Sequence, residues 1–237
     1  MSTSQTANLT KSVRRWPALC AVIALLALCP THVNADEISI WNFNDSDLIE
    51  DHGAGTLTTN FNLANVVFTL GGTSLNARQG DLAGQSMTLQ GGTSNSNNGR
   101  NLTLNVSTLG LGNIVVSFAT QGTSTGFNSN QFQCSLDGVA FINFSAPYTP
   151  ALTFGLITFD LSSIPGLNDN PDAAFRIVFD GATSSSGNNR IDNIVVEGQP
   201  LTTPIPEPGS LLLFSLGLSG IGATRFKGWR RKLHRSR

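Results

Sequence analysis

Nine short apolar runs without a sustained helical period constrain the fold of this chain more than any other feature. They span residues 38–43, 66–70, 102–106, 114–118, 132–136, 139–144, 156–161, 175–179 and 191–196. Several alternate apolar with polar, as in Leu102-Thr103-Leu104-Asn105-Val106. A period of two puts one face of a strand toward a core and the other toward water. β-Branched and aromatic residues fill the runs, and Gly, Ser, Thr and Asn fill the connections between them, as strands and turns require. The pattern predicts an all-β antiparallel sandwich. Residues 36–200 are 165 positions, enough for one domain that buries about 70% of its unfolded surface. Between residues 133–136 and 139–142, Asp137-Gly138 suits a two-residue type I′ hairpin turn. Cys134 then points inward as a small apolar residue. Residues 69–74 and 89–94 echo one another once, which reads as two similar strand exits and not as a repeat. Residues 91–100 read as a mobile polar loop and 201–208 as an extended Pro/Thr-rich linker.

Both ends of the chain read as addresses. Lys11, Arg14 and Arg15 precede an apolar stretch over residues 18–29, and Val33-Asn34-Ala35 supplies small residues before Asp36. That order describes a secretory signal peptide, residues 1–35, cleaved between Ala35 and Asp36. The general secretory route fits better than the twin-arginine route, because Pro17 closely follows the Arg pair. At the other end, Pro206-Glu207-Pro208 precedes a 15-residue apolar run, Gly209 to Ala223, and the chain closes on Arg225, Lys227, Arg230, Arg231, Lys232, Arg235 and Arg237. As a helix the run is about 22 Å long. That is short against a hydrocarbon core of about 30 Å, and Arg225 and Lys227 must snorkel. The basic tail, 225–237, belongs on the cytoplasmic side, and the two prolines keep the motif non-helical at the opposite boundary of the 209–224 segment. Motif, membrane segment and basic end together resemble the C-terminal signal of PEP-CTERM proteins. The resemblance implies export across the inner membrane of a Gram-negative bacterium and transient anchoring. It also implies processing by the membrane enzyme exosortase, with release to the cell surface or extracellular matrix.

Without its ends the chain has a different character. All 15 acidic residues lie between Asp36 and Glu207, against Arg78, Arg100, Arg176 and Arg190 and no Lys, so the formal net charge there is 4 − 15 = −11. Phosphate backbones need a basic surface, which excludes nucleic acid as a partner. Cys134 is the single cysteine left after export, so the core must stabilise the domain without an intrachain disulfide.

Trp41-Asn42-Phe43-Asn44 at the start, Ser135-Leu136-Asp137-Gly138 in the centre, and Phe175-Arg176-Ile177-Val178-Phe179 with Arg190-Ile191-Asp192-Asn193-Ile194 at the end are similar to galactose-binding-like and carbohydrate-binding jelly rolls. A laminin-G-like sandwich is the next alternative. The jelly-roll resemblance implies that the first and last strands pair. It also implies a structural Ca²⁺ where they meet, with Asp192 and Asn44, Asp45 or Asp47 as candidate ligands. The loop 168–172, Asn-Asp-Asn-Pro-Asp, also spaces oxygen ligands, although a Pro-stiffened turn explains it as well. Trp41 lies in an apolar strand and is expected in the core, which leaves Tyr148, between Pro147 and Pro150, as the candidate stacking platform for a sugar.

The residues do not form a recognisable catalytic set. His52 is the one His between the two ends, in a loop-like stretch, and Gly-x-Ser-x-Gly, dinucleotide and Cys/His zinc patterns are missing from the sequence. Asp160 and Asp180 end strands and read as turn formers rather than as a glycosidase pair. The expected function is a non-catalytic structural or adhesive component of exopolysaccharide or biofilm. The alternative is a carbohydrate-binding module with a defined glycan site, and a secreted hydrolase stands a distant third. If the tail signal directs processing, Pro206→Ala with Pro208→Ala should abolish the shorter mature species in an exosortase-bearing host. Mass spectrometry of an unchanged product would refute the assignment.

Overall fold

The computed structural model describes residues 35–201. The signal peptide, the Pro206-Glu207-Pro208 motif, the apolar segment and the basic tail therefore lie outside the described residues, apart from Ala35. Among the described residues no helix is long and apolar enough to cross a membrane. The described part is a sandwich of two antiparallel sheets with three short 3₁₀ turns.

The first sheet contains β1 (Asp36–Trp41), β2 (His52–Gly53), β4 (Val66–Leu70), β5 (Gln85–Gln90), β7 (Leu111–Gly122), β10 (Gly155–Asp160) and β12 (Asn188–Pro200). Its path runs β10-β7-β12-β1-β2, with β5 also on β12 and β4 on β5. The second sheet runs β3 (Thr56–Thr59), β6 (Arg100–Asn105), β11 (Ala174–Asp180), β8 (Ser129–Ser135) and β9 (Ile142–Asn143). The first and last strands pair antiparallel, with Trp41 opposite Ile194, as the sequence resemblance implies.

Period-two patterning builds the second sheet. Leu102 and Leu104, Phe132 and Cys134, and Phe175, Ile177 and Phe179 all point inward and are buried. The alternate residues Asn101, Thr103, Gln131, Gln133 and Arg176 face the other way. Across the sandwich these side chains meet Trp41, Ile114, Val116, Phe118, Ile191, Ile194 and Val196. Two aromatic groups dominate the core. Phe61, Phe127 and Phe179 meet edge to face at 5.6–5.8 Å between centroids. Phe132 stacks on Phe159 at 3.9 Å, with Phe175 beyond it. Each such ring buried contributes about 1.5–3 kcal/mol, and edge-to-face pairs add about 0.5–1.5 kcal/mol.

The strand β12 has 13 residues and changes partner halfway. Its first part pairs with β5 up to Ile191, and from Ile194 onward it pairs with β1. Asp192 and Asn193 sit in the seam, where the register against β7 also shifts and Asn193 takes a left-handed φ of 49°.

The hairpin around Asp137-Gly138 forms, but not through a two-residue turn. Pairing stops at Cys134 opposite Ile142, so residues 136–141 form a wider connection. Asp137 is the cause. Its Oδ1 accepts from Ser135 Oγ and from the backbone N–H groups of Val139 and Ala140, which a tight turn would turn away from it. Residues 91–100 also differ from the open loop expected. They contain a 3₁₀ turn, and Asn97 is buried, donating to Gln90 O and Asn65 Oδ1.

Cys134 is buried with no disulfide partner, and burial pushes its thiol pKa up. The native protein should react slowly with a thiol reagent and rapidly once unfolded. Cys134→Ser should cost about 1–3 kcal/mol in a denaturant melt, since a hydroxyl would enter an apolar site. Rapid labelling of the native form would contradict the placement.

Candidate ligand-binding face

Three of the residues expected to hold Ca²⁺, Asn44, Asp47 and Asp192, accept hydrogen bonds from the backbone. Asp192 is buried, and its two oxygens accept from the backbone N–H of Thr73 (2.7 Å) and of Asn193 (2.9 Å). Asn193 Nδ2 donates to Thr73 O and Leu75 O, and Asn76 Nδ2 donates back to Asn193 O. The seam in β12 is thus a clamp for the long loop 71–84 between β4 and β5. Close approach depends on Gly72, because a Cβ there would lie 2.6 Å from Asp192 Oδ2. Asn44 Oδ1 accepts from Gln85 N, and Asp47 Oδ1 accepts from Ile49 N, as a local turn. Among the described residues no three His, Cys, Asp or Glu side chains converge closely enough to hold a metal ion. Asp45, Asp47 and Asp192 therefore do not form one such cluster. The oxygens of loop 168–172 are likewise turn acceptors: Asn168 Oδ1 for Asn113 N, Asp169 Oδ1 for Gly110 N, and Asn170 Oδ1 for Asp172 N.

Tyr148 turns inward. Its ring centroid lies 6.3 Å from that of Phe118 and 6.1 Å from that of Phe159. Its hydroxyl is buried without a hydrogen-bond partner, and burial drives its pKa far above the usual range. This is a core-facing placement, not an outward platform. Trp41 is fully buried, as its strand predicts.

The surface with the most binding chemistry is the outer face of the second sheet. One register row crosses all five strands: Thr58 opposite Thr103, Thr103 opposite Arg176, Arg176 opposite Gln133, and Gln133 opposite Asn143. At about 4.8 Å between strands the row is about 19 Å long. Asn101 and Gln131 flank it in the neighbouring row, with Val178 between them. Side chains here bond one another: Gln133 Nε2 donates to Asn143 Oδ1 (2.9 Å), and Thr103 Oγ1 donates to Asn101 Oδ1 (3.2 Å). Phe141, from the β8–β9 connection, folds over the row and sets its ring 3.5 Å from the Arg176 guanidinium carbon. Cation–π contact of this kind orders both groups. The signal for these residues was present in the alternation of Phe175-Arg176-Ile177 and Phe132-Gln133-Cys134, whose polar members must face outward. Phe141 carried no such signal, because it reads as part of an apolar strand.

The other outer face is not available in the same way. Ile40, Val195 and Ser117 form one register row on the first sheet, all less than 5% exposed, and the loop 71–84 lies across it. Asn76 reaches Ser117 Oγ, and Arg78 pairs with Glu37 and Glu197, both at 3.5 Å.

An open cleft of about 540 Å³ lies at one end of the sandwich, lined by Glu50, Asp137 and Asp172 among others. The N–H groups of Ala140 and Val139 hold the Asp137 carboxyl below its ordinary pKa. It therefore stays ionised and does not serve as a proton donor near neutrality.

No protein-family model and no curated protein matches the chain. Solved structures do. The chain is similar to the carbohydrate-binding module TmCBM61 in complex with β-1,4-galactotriose, at 14% identity and TM-score 0.39, over 67% of this chain and 94% of that one. It is similar to the CBM22-1 xylan-binding domain from Paenibacillus barcinonensis Xyn10C, at 11% and 0.44, over 71% and 97%. It is also similar to the K3 cleaved adhesin domain of Lys-gingipain from Porphyromonas gingivalis, at 12% and 0.42, over 69% and 99%. Likeness at this level transfers no ligand and no residue role to this chain.

The buried carboxyl in the seam makes stability depend on pH. Burial pushes the Asp192 pKa from 3.8 up to about 7, against the opposing pull of the Thr73 and Asn193 N–H groups and of Arg190. Below pH 4 both folded and unfolded chains hold the proton, and Asp192 costs nothing. Between pH 4 and 7 the unfolded chain releases it first, so stability falls, and above pH 7 the loss is complete. At about 1.4 kcal/mol per pKa unit the full effect is a few kcal/mol. Urea melts of the Asp192→Asn variant should show a smaller drop in stability from pH 5 to 8 than the parent. An equal drop in both would show that Asp192 is not the group responsible.

Proposed function

We propose that this is an exported, non-catalytic carbohydrate-binding protein that engages a glycan on the outer face of its five-stranded sheet. The observation that carries this reading is the row Thr58-Thr103-Arg176-Gln133-Asn143, a flat line of hydroxyls, amides and one guanidinium. Sugars present hydroxyls at regular spacing along an extended chain. Fixed planar amides can both donate to and accept from them, and an adjacent aromatic ring offers a platform for the apolar face of a sugar. The row carries no carboxylate, so it offers neither partner of a glycosidase acid–base pair. The row's chemistry thus suits holding a glycan rather than cleaving it.

The two ends supply the setting. We read residues 1–35 as the export signal and Pro206-Glu207-Pro208 with residues 209–237 as the exosortase-directed sorting signal. Together they place the domain, a jelly roll in this reading, at the cell surface or in the surrounding polysaccharide. There it acts as an adhesive component by holding glycan. The carbohydrate-binding function of several structural neighbours agrees with this reading without supporting it further. The exported protein should be retarded in native gels that contain its glycan, drawn from a panel of neutral and acidic polysaccharides. Gln133→Ala with Asn143→Ala should weaken that retardation at least tenfold, whereas Thr69→Ala, on the first sheet, should leave it unchanged. No retardation by any polysaccharide, or equal retardation of the double variant, would overturn the proposal.

A further inference from the structure

Building on that reading of the same face, we infer that the site selects an acidic glycan and that Arg176 takes its anionic group. Three observations converge on this residue. The first is its lack of a counter-charge. The exported chain is acidic overall, at 4 − 15 = −11, yet among the described residues Arg176 has no carboxylate within ion-pair distance, whereas Arg78 has two. The second is the distribution of charge over the fold. On the outer face of the second sheet the register places Arg176 and, four residues further along β11 at the strand end, Asp180, whereas Arg100 shares the inward register of Leu102 and Leu104. The row through Arg176 itself carries no carboxylate, so the charge around Arg176 is locally positive in a negative protein. The field near a low-dielectric surface is set by nearby charges, because salt screens those beyond about 8–10 Å. A polyanion repelled by the acidic parts of the domain therefore meets a locally favourable charge at Arg176.

The third observation is geometric. Nε of Arg176 donates to Thr103 Oγ1 (3.1 Å), and the Phe141 ring covers one face of the guanidinium. Among the described residues its hydrogen bonds stop at Nε, which leaves the two Nη groups free to act as a fork. Burial lowers its pKa, but an arginine stays charged at any physiological pH. A positioned fork with a fixed plane matches the two oxygens of a carboxylate, or two oxygens of a sulfate ester, in a paired contact. Lysine would not do this as well, since its ammonium is a point charge on a flexible stem. Gln133 and Thr103 beside the guanidinium are neutral hydrogen-bonding groups suited to the hydroxyls flanking that anionic group.

Matched polysaccharides test the inference. Polygalacturonate and its methyl-esterified form share a backbone and differ in the free carboxylate. Dextran sulfate and dextran differ in the sulfate ester. The exported protein should prefer the charged member of at least one pair by tenfold or more in affinity electrophoresis, and the preferred pair identifies the anion. Arg176→Gln should remove the preference by weakening binding to the charged member at least tenfold more than binding to the neutral one. Arg176→Lys should retain only part of it, and circular dichroism should show both variants folded. Should Arg176→Gln not fold, Phe141→Leu, which frees the guanidinium but keeps the charge, should reduce the preference instead. Equal binding of charged and neutral members would overturn the acidic-glycan inference and leave the carbohydrate-binding reading standing. A preference that survives in Arg176→Gln would do the same. Failure to bind any of the four would overturn both.

Discussion

The partner change in β12 is the constraint on which the rest of the structure depends. A strand of 13 residues in the middle of the first sheet holds β7 along one edge and divides the other edge between β5 and β1. Two strands cannot share one edge without a gap between them, and backbone groups in that gap must find partners elsewhere. Asp192 and Asn193 fill it. Their side chains bond the loop 71–84, and that loop in turn covers Ile40 and Val195. The seam therefore joins the two ends of the domain in sequence, fixes where the loop lies and buries a second apolar layer outside the main core.

That arrangement makes the two outer faces unlike. The loop closes the first with hydrogen bonds and with the pairs between Arg78 and Glu37 and Glu197. Exposed ion pairs of this kind contribute about 0–1 kcal/mol each, so the loop is held mainly by the buried polar bonds at the seam. The second face has no such loop across it, only Phe141 over Arg176. Its polar side chains bond one another along the row, and the guanidinium of Arg176 is left with unused donors. The face that the fold leaves open is the one on which the proposed binding row lies.

The second sheet was legible in the sequence because its strands follow period two strictly: Leu102/Leu104, Phe132/Cys134 and Phe175/Ile177/Phe179 bury one face each. The strand at 66–70 has the bounds that its apolar run suggests. The β12 strand was harder, since residues 191–196 are buried on both sides and the alternation disappears beneath the loop. The short strands β2 and β3 carry two and four residues and almost no apolar signal, because their partners define them, and β9 keeps only two residues of the apolar run 139–144. Tyr148 and Asp137 misled for local reasons. Flanking prolines do not show which way a ring turns, and a carboxylate that caps its own loop widens the turn that Asp-Gly otherwise favours. The candidate row was half legible: alternation assigns Arg176 and Gln133 outward, but their alignment across five strands is a matter of register, which no local pattern contains.

The retention of a carboxyl at position 192 follows from what its alternatives would leave behind. An apolar residue there would avoid the desolvation that raises the pKa to about 7, but it would strand the N–H groups of Thr73 and Asn193. Each buried donor without a partner costs about 1–3 kcal/mol. Two of them roughly equal the few kcal/mol that the raised pKa represents. On stability alone the exchange is close to neutral, and register decides it. Asp192 accepts N–H groups from one position of the loop and one position of its own strand, whereas a hydrophobic side chain would permit neighbouring alignments. A one-residue slip of β12 would turn Ile191, Ile194 and Val196 out of the core and misplace β5 and β1 together. The carboxyl thus exchanges little net stability for a single alignment of the strand that organises the first sheet.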